Sequence, residues 1–419
     1  KETLVKKSST LHSSTLHIGL ILFLIVLSKN FFNLVPNIAL FSDFNLMIII
    51  IIMTVVNIKY YNRSTKYQYR WYIIFTLIFV LYSAINEKLL YGQPFLLGLL
   101  PQRQFFLCLM TYFPLRKYFQ EQNISLKKLY VGIMNLGSIS SLIYILQKIV
   151  ILYGGTQFVN VIYSFAGYFS GYRLYVGSSL IILATLISTA YFLETLKLKY
   201  LCHLILGWFT QIWITQGRIE MIVLLISTIV CIIVQGRLTR KKIIYWLLTI
   251  LGLWMITLTP IFENIVGAIL KVDGAGRGSD SLTIRAIGRQ LYWEQLNETT
   301  SKLLFGTGYP NYNYALAFQR TGFSSNIFLT DNGFMTYIYI FGIVGSSIMG
   351  LLFLKYLKNS IKYARQSADM IPLMYIISLL IVAYNIILWY WNADGTFILV
   401  IMICALEHGE QLLHQRNGV

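Results

Sequence analysis

Long apolar runs separated by short polar stretches follow one another along most of this 419-residue chain. Many are about 17 to 25 residues long, the length a helix needs to cross the hydrocarbon core of a bilayer. The weak period-two alternation of a membrane β-barrel is not what the pattern shows. Backbone groups that face lipid must be satisfied within their own segment, so the runs predict helices. Twelve spans are expected, at about 16–34, 44–58, 71–86, 97–114, 129–152, 174–195, 200–216, 219–235, 243–262, 331–354, 371–391 and 395–407. The fold class is therefore all-α, a polytopic integral membrane protein. An even number of spans puts both termini on one side of the membrane.

One stretch breaks the pattern. From Glu263 to Thr330 the chain is polar over a length found nowhere else in it. This divides the chain into spans one to nine (1–262), a long loop (263–330) and the last three spans (331–419). Gly274, Gly276 and Gly278 make the start of the loop flexible. Ser281 to Leu296 then reads as an amphipathic helix with Leu282, Ile284, Ile287, Leu291 and Leu296 on its apolar side. Arg285 and Arg289 are four residues apart and share a face of it. Leu304-Phe-Gly-Thr-Gly-Tyr-Pro310 predicts a turn that presents Tyr309. Asp331, Asn332 and Gly333 lead into the next span.

Composition sharpens the class. The chain is 57% hydrophobic with a mean hydropathy of +0.65, and only 12% of residues are charged. Soluble domains carry about 25% charged residues, so a soluble enzyme is excluded. A net charge of +18 invites a nucleic-acid partner, but the cations lie between spans. Most of the 34 lysines and arginines fall at the termini and in alternate loops, at 59–70, 115–128, 196–199, 236–242 and 355–365. The positive-inside rule makes that side cytoplasmic. The long loop then lies outside, carrying Lys271, Arg277, Arg285, Arg289, Lys302 and Arg320, with Arg173 and Arg218 on the same side. Cations placed against the topological bias point to an anionic ligand. The four cysteines, Cys108, Cys202, Cys231 and Cys404, lie in or beside apolar spans without metal-site spacing. A second span follows the first after about ten residues, so the first is expected to be a retained helix rather than a signal peptide.

Arg218 stands in Thr215-Gln-Gly-Arg-Ile-Glu220, where two spans meet with almost no loop. Such a hairpin fixes the depth of a guanidinium, whose planar fork suits bidentate phosphate contact. The plainer reading is an arginine that snorkels from a helix end. Glu220 either neutralises Arg218 or acts as a carboxylate in its own right. Arg285 and Arg289 suit a diphosphate, or alternatively a solvated helix face. Asp331 is a natural helix N-cap, and equally a carboxylate able to take a proton from a sugar hydroxyl. His12, His17, His203, His408 and His414 all fall at or near the cytoplasmic side. Chemistry on the outer side would thus rely on carboxylates, among them Asp43, Glu87, Glu220, Asp331 and Asp394. There is no Walker loop, HExxH, GxSxG or dinucleotide fingerprint. Nothing in the sequence calls for a metal or a cofactor.

The order of these features resembles a known family. An external Gln-Gly-Arg between two spans is followed by a long late loop with spaced arginines and Trp293. Then come Leu304-Phe-Gly-Thr-Gly and Asp331-Asn-Gly-Phe-Met-Thr-Tyr-Ile-Tyr-Ile-Phe-Gly-Ile-Val-Gly345. This is similar to the O-antigen polymerase and ligase superfamily, in particular the Wzy-type polymerases of capsule and exopolysaccharide. The architecture covers the whole chain, and the specific motifs cover about 215–220 and 285–345. The resemblance implies a GT-C-like membrane glycosyltransferase in the bacterial cytoplasmic membrane, with its active site facing outside. Its substrate would be an undecaprenyl-diphosphate-linked oligosaccharide, and its partners the bilayer, a flippase and a chain-length regulator. Arg218, Arg285, Arg289, Arg277 and Arg173 would bind the diphosphate, beside Tyr309 and Asn332. Related ligases often carry histidine where this chain has Asp331. Within the superfamily a ligase serving another acceptor is the alternative. Outside it, a lipid-linked oligosaccharide flippase would show internal repeats and mid-membrane charges, and neither is evident.

Overall fold

A computed structural model describes residues 2–35, 39–167, 171–234, 277–325, 327–384 and 387–416. The span expected at 243–262 and the loop residues up to 276 lie outside the described residues. The chain begins with α1 (Glu2–Ser28), α2 (Ala39–Lys59) and α3 (Arg70–Tyr91). The span expected at 97–114 is instead three short pieces, α4 (Phe95–Leu99), α5 (Arg103–Met110) and α6 (Tyr112–Glu121). Proline explains the breaks. Pro94 precedes α4, Pro101 sits in the 3-10 turn Leu100–Gln102, and Pro114 occupies the first turn of α6, positions where a missing N–H is tolerated.

The described residues are predominantly helical, as expected, and the exception follows α7 (Leu126–Leu152). Strands β1 (Ile162–Gly167) and β2 (Gly171–Tyr175) form an antiparallel hairpin in which Ser164 faces Arg173. The stretch from Val161 to Val176 is dense in aromatic and β-branched residues, a strand signature that falls almost wholly between the spans expected at 129–152 and 174–195. The span expected at 174–195 accordingly starts later, as α8 (Ser179–Thr195). Next come α9 (Leu198–Phe209), a π-helical turn (Thr210–Thr215) and α10 (Arg218–Val234). The amphipathic helix is α11 (Arg277–Asn297), followed by the short α12 (Thr300–Phe305) and α13 (Ala315–Arg320). The chain closes with α14 (Phe334–Ser367), α15 (Ile371–Val382), a single turn (Leu388–Trp391) and α16 (Ala393–Arg416).

Among the described residues, five helices are long and apolar enough to cross a membrane: α2, α3, α7, α14 and α16. Shorter apolar helices lie within α1, α8, α10 and α15. On α2 the residues Phe44, Met47, Ile51, Val55 and Ile58 are all exposed. They recur every three or four residues, so they form one outward apolar stripe. Water would penalise such a surface and lipid would not. At the centre lies α16, packed against α5, α6, α8 and α14. From Phe397 to Leu406 all its side chains are buried, as expected of a helix that is apolar all round.

The glycine-rich turn after α12 is locked into a break in α14. At Gly342 the backbone leaves the helix (φ 67°, ψ −176°), which frees carbonyls of the preceding turn. Thr307 N–H then donates to Tyr339 O (2.8 Å) and Gly308 N–H to Ile340 O (3.2 Å). A Cβ on Gly342 would lie 2.3 Å from Leu304 O, and one on Gly306 would lie 2.3 Å from Ile340 O. The two backbones approach this closely only because both residues are glycine.

Candidate functional site: an arginine cluster at the hairpin end of the bundle

Glu220 is the centre of the cluster. It is the third residue of α10, and its carboxylate folds back over the helix N-terminus. A Cβ on Gly217 would meet Glu220 Oε2 at 1.9 Å, so the Gln-Gly-Arg motif needs its glycine to make room. A negative group there is favoured by the exposed N–H groups and the helix dipole. Ser178 Oγ, just before α8, donates to Glu220 Oε1 at 3.5 Å. The charges of Arg173 and Arg285 act on the same carboxylate, although no salt bridge joins them among the described residues.

Arg173 comes from β2. Its Nε donates to Thr215 O (2.6 Å), and its guanidinium lies 4.6 Å from the centre of the Tyr175 ring. Arg285 comes from α11, and its Nε is buried yet bonds to no described residue. Buried donors are seldom left unpaired, so this nitrogen is suited to an added acceptor. Arg289, one turn on, makes a long contact to Arg285 O (3.4 Å) and sits 4.9 Å from the Tyr384 ring.

The buried face of α11 follows the expected one at Ile284, Leu291 and Leu296, which pack against the core, and departs from it at Ile287. Gly288, Tyr292 and Leu296 are buried, whereas Ile287 is exposed. The side chain of Leu282 lies outside the described residues. Tyr292 stacks on Tyr339 of α14, with ring centres 4.6 Å apart, and its hydroxyl donates to Thr321 O. This seating orients Arg285 and Arg289, which flank Gly288.

Asn332 reaches that same point. A Cβ on Gly288 would lie 2.9 Å from its side-chain amide, and its Oδ1 is buried without a described partner. Its Nδ2 donates to Phe328 O (2.9 Å). Asp331 lies beside it in the 3-10 turn Leu329–Asn332 and is half-buried. It does not cap α14, which starts at Phe334 with Gly333 at the cap and no side-chain bond. Phe334 N–H donates to Ala383 O at 2.8 Å, which holds this turn against the end of α15.

The structure thus gathers Glu220, Arg173, Arg285, Arg289, Asn332 and Asp331 at one end of the bundle. Arg218 and Arg277 are the first residues of α10 and α11, and their side chains lie outside the described residues. Tyr309 is not part of the group. It is buried against α3, where its N–H donates to Ser83 O (3.3 Å), and its ring faces Trp391. Burial pushes its phenol up from the ordinary value. Arg320 is also committed elsewhere, in an ion pair with Glu87. His17 and His408 lie at the far end, near the α6–α7 turn, bonded to Tyr118 OH and Ile124 O.

A polar cavity of about 720 Å³, lined mostly by residues that no sequence motif marks, lies beside this cluster. Its walls include Asn30, Asn33, Gln104, Asn160 and Asn392. The available signal was the set of amides at the ends of apolar spans. No protein-family model matches the chain, and no curated protein matches it in sequence.

Proposed function

We propose that this chain is a membrane glycosyltransferase that polymerises undecaprenyl-diphosphate-linked oligosaccharide units at the outer face of the bacterial cytoplasmic membrane. The growing glycan is transferred en bloc to the next lipid-linked unit, and the lipid diphosphate leaves. The observation that supports this reading is the convergence of Arg173, Arg285 and Arg289 around Glu220, Asn332 and Asp331. Three cations from two separate elements, β2 and α11, one with an unpaired buried nitrogen, suit a multiply charged anion.

In the transfer, an acceptor hydroxyl oxygen attacks the anomeric carbon while the bond from that carbon to the diphosphate oxygen breaks. The leaving diphosphate gains negative charge, and the fixed guanidiniums stabilise it without having to reorganise. The hydroxyl proton passes to a carboxylate, which we assign to Asp331. Glu220 offsets the mutual repulsion of Arg173 and Arg285 and so keeps them together. A single displacement inverts the glycosidic linkage. A flippase would supply such a substrate and a chain-length regulator would act on its product.

The test uses purified protein in nanodiscs with the lipid-linked repeat unit and no nucleotide sugar. A ladder of longer glycans is expected, lost in Arg285→Ala and in Arg218→Ala while both still elute as folded protein. Full activity of both variants would remove the diphosphate-clamp assignment. Passage of unaltered substrate across the bilayer without elongation would favour a flippase, and one transfer to a non-lipid acceptor a ligase.

A further inference from the structure

The cavity beside the arginine cluster differs from it in chemistry. Its two charged groups neutralise each other, with Lys29 Nζ 3.0 Å from Asp394 Oδ2 and both side chains buried. The same Nζ also donates to Val176 O (2.6 Å) and Gly177 O (2.7 Å), so this lysine is fully occupied. The rest of the lining is hydroxyls, side-chain amides, the rings of Tyr175 and Trp391, and the small apolar residues Val161, Val176, Gly177 and Ala393. The side-chain amides of Asn160 and Asn392 bond to none of the described residues. The indole N–H of Trp391 is likewise without a described partner.

One wall is strained. Asn30, Phe31, Phe32 and Asn33 all have positive φ, between 49° and 62°. Four consecutive non-glycine residues in the left-handed region are costly. The turn is held by Asn45 Nδ2 donating to Asn30 Oδ1 (3.0 Å) and by Asn33 Nδ2 donating to the Tyr144 hydroxyl (3.0 Å). Two asparagines are thereby fixed at the cavity edge.

The hairpin divides cavity from cluster. Tyr175 lines the cavity while the Arg173 guanidinium lies against its ring. Gly177 lines the cavity, and the next residue, Ser178, bonds Glu220.

We infer that this cavity is a saccharide subsite, taking the neutral, polyhydroxylated part of the substrate whose diphosphate lies across the hairpin. The inference rests on the proposed function for the presence of a glycan. The chemistry favours a neutral sugar over an ion. Amides offer paired donors and acceptors to vicinal hydroxyls, aromatic rings offer apolar faces to C–H groups, and no net charge is present.

Two probes separate this inference from the reading it rests on. Wild-type protein and an Asn160→Leu/Asn392→Leu variant, both in detergent, are applied to an array of bacterial oligosaccharides. Binding of undecaprenyl diphosphate is measured in parallel. Wild type is expected to retain a set of uncharged glycans, and the variant to lose about tenfold or more in that retention, the equivalent of one or two hydrogen bonds. Its undecaprenyl diphosphate binding should stay unchanged, which also reports that it folds. A less drastic variant, Asn392→Asp, should weaken the same glycans. Retention of no glycan by wild type, of charged glycans alone, or of the same glycans by both variants overturns the subsite. Failure of undecaprenyl diphosphate binding in wild type overturns the diphosphate reading instead.

Discussion

Arg320 of α13 places its Nη2 2.5 Å from Glu87 Oε1 of α3, with the carboxylate fully buried and the arginine side chain 14% exposed. The guanidinium also lies 3.5 Å from the centre of the Tyr91 ring. The pair therefore ties the late loop to the third helix, beside the glycine turn that grips α14. Removing one partner of such a pair leaves a buried charge alone, which costs about 3–5 kcal/mol. Arg320→Met should lower the thermal midpoint of the solubilised protein by several degrees. Replacing both residues by leucine should cost less than the single change. Equal midpoints for wild type and Arg320→Met would show that the pair contributes nothing.

Gly342→Ala tests the lock between α14 and the glycine turn. The added methyl would collide with Leu304 O, and the residue would keep a left-handed φ that costs about 1–3 kcal/mol. Faster amide exchange is expected at Thr307 and Gly308, whose N–H groups lose their carbonyls. Unchanged exchange at these two positions would mean that the break in α14 does not depend on glycine.

The same two features show how far the sequence could be read. Apolar run length pointed to the long helices α2, α3, α7, α14 and α16, because lipid leaves the backbone few alternatives. It could not show that Gly342 interrupts one of them, since the surrounding residues are all good membrane formers. Prolines 94, 101 and 114 stood in plain view, but their effect on 97–114 depended on what packs there. The hairpin falls almost wholly between the spans expected at 129–152 and 174–195, where apolar run length assigns no element. For the site, the side of the membrane singled out Arg173, Arg285 and Arg289, and spacing put the last two on one face. That Arg320 pairs with Glu87, 233 positions away, is a tertiary fact with no local signal. The cavity amides were equally silent, since an asparagine at a span end looks like any interfacial residue.

Gly217→Ala should act through Glu220. Its methyl would occupy the space of the Glu220 carboxylate, and Arg173 and Arg285 would lose their shared counter-charge. On undecaprenyl diphosphate binding, Gly217→Ala and Glu220→Gln are expected to have similar effects. The double variant should then be no worse than either alone, the non-additivity that marks one shared interaction. Additive losses would show that the glycine serves the backbone and not the carboxylate.

Asp331→Asn separates proton transfer from binding. If Asp331 accepts the hydroxyl proton, the amide should reduce the rate of glycan elongation by about a hundredfold to ten-thousandfold. Undecaprenyl diphosphate binding should be unaffected, because Asn332 and the arginines that contact the anion remain. Glu220→Gln should show the opposite split, with weakened binding and a smaller loss of maximal rate. The two carboxylates differ in setting: Glu220 is buried over its helix N-terminus with Ser178 bonded to it, whereas Asp331 is half-buried on a turn. Elongation rates and binding constants for the two variants, measured side by side, decide the assignment. A large rate loss in Glu220→Gln with normal binding would exchange the two roles.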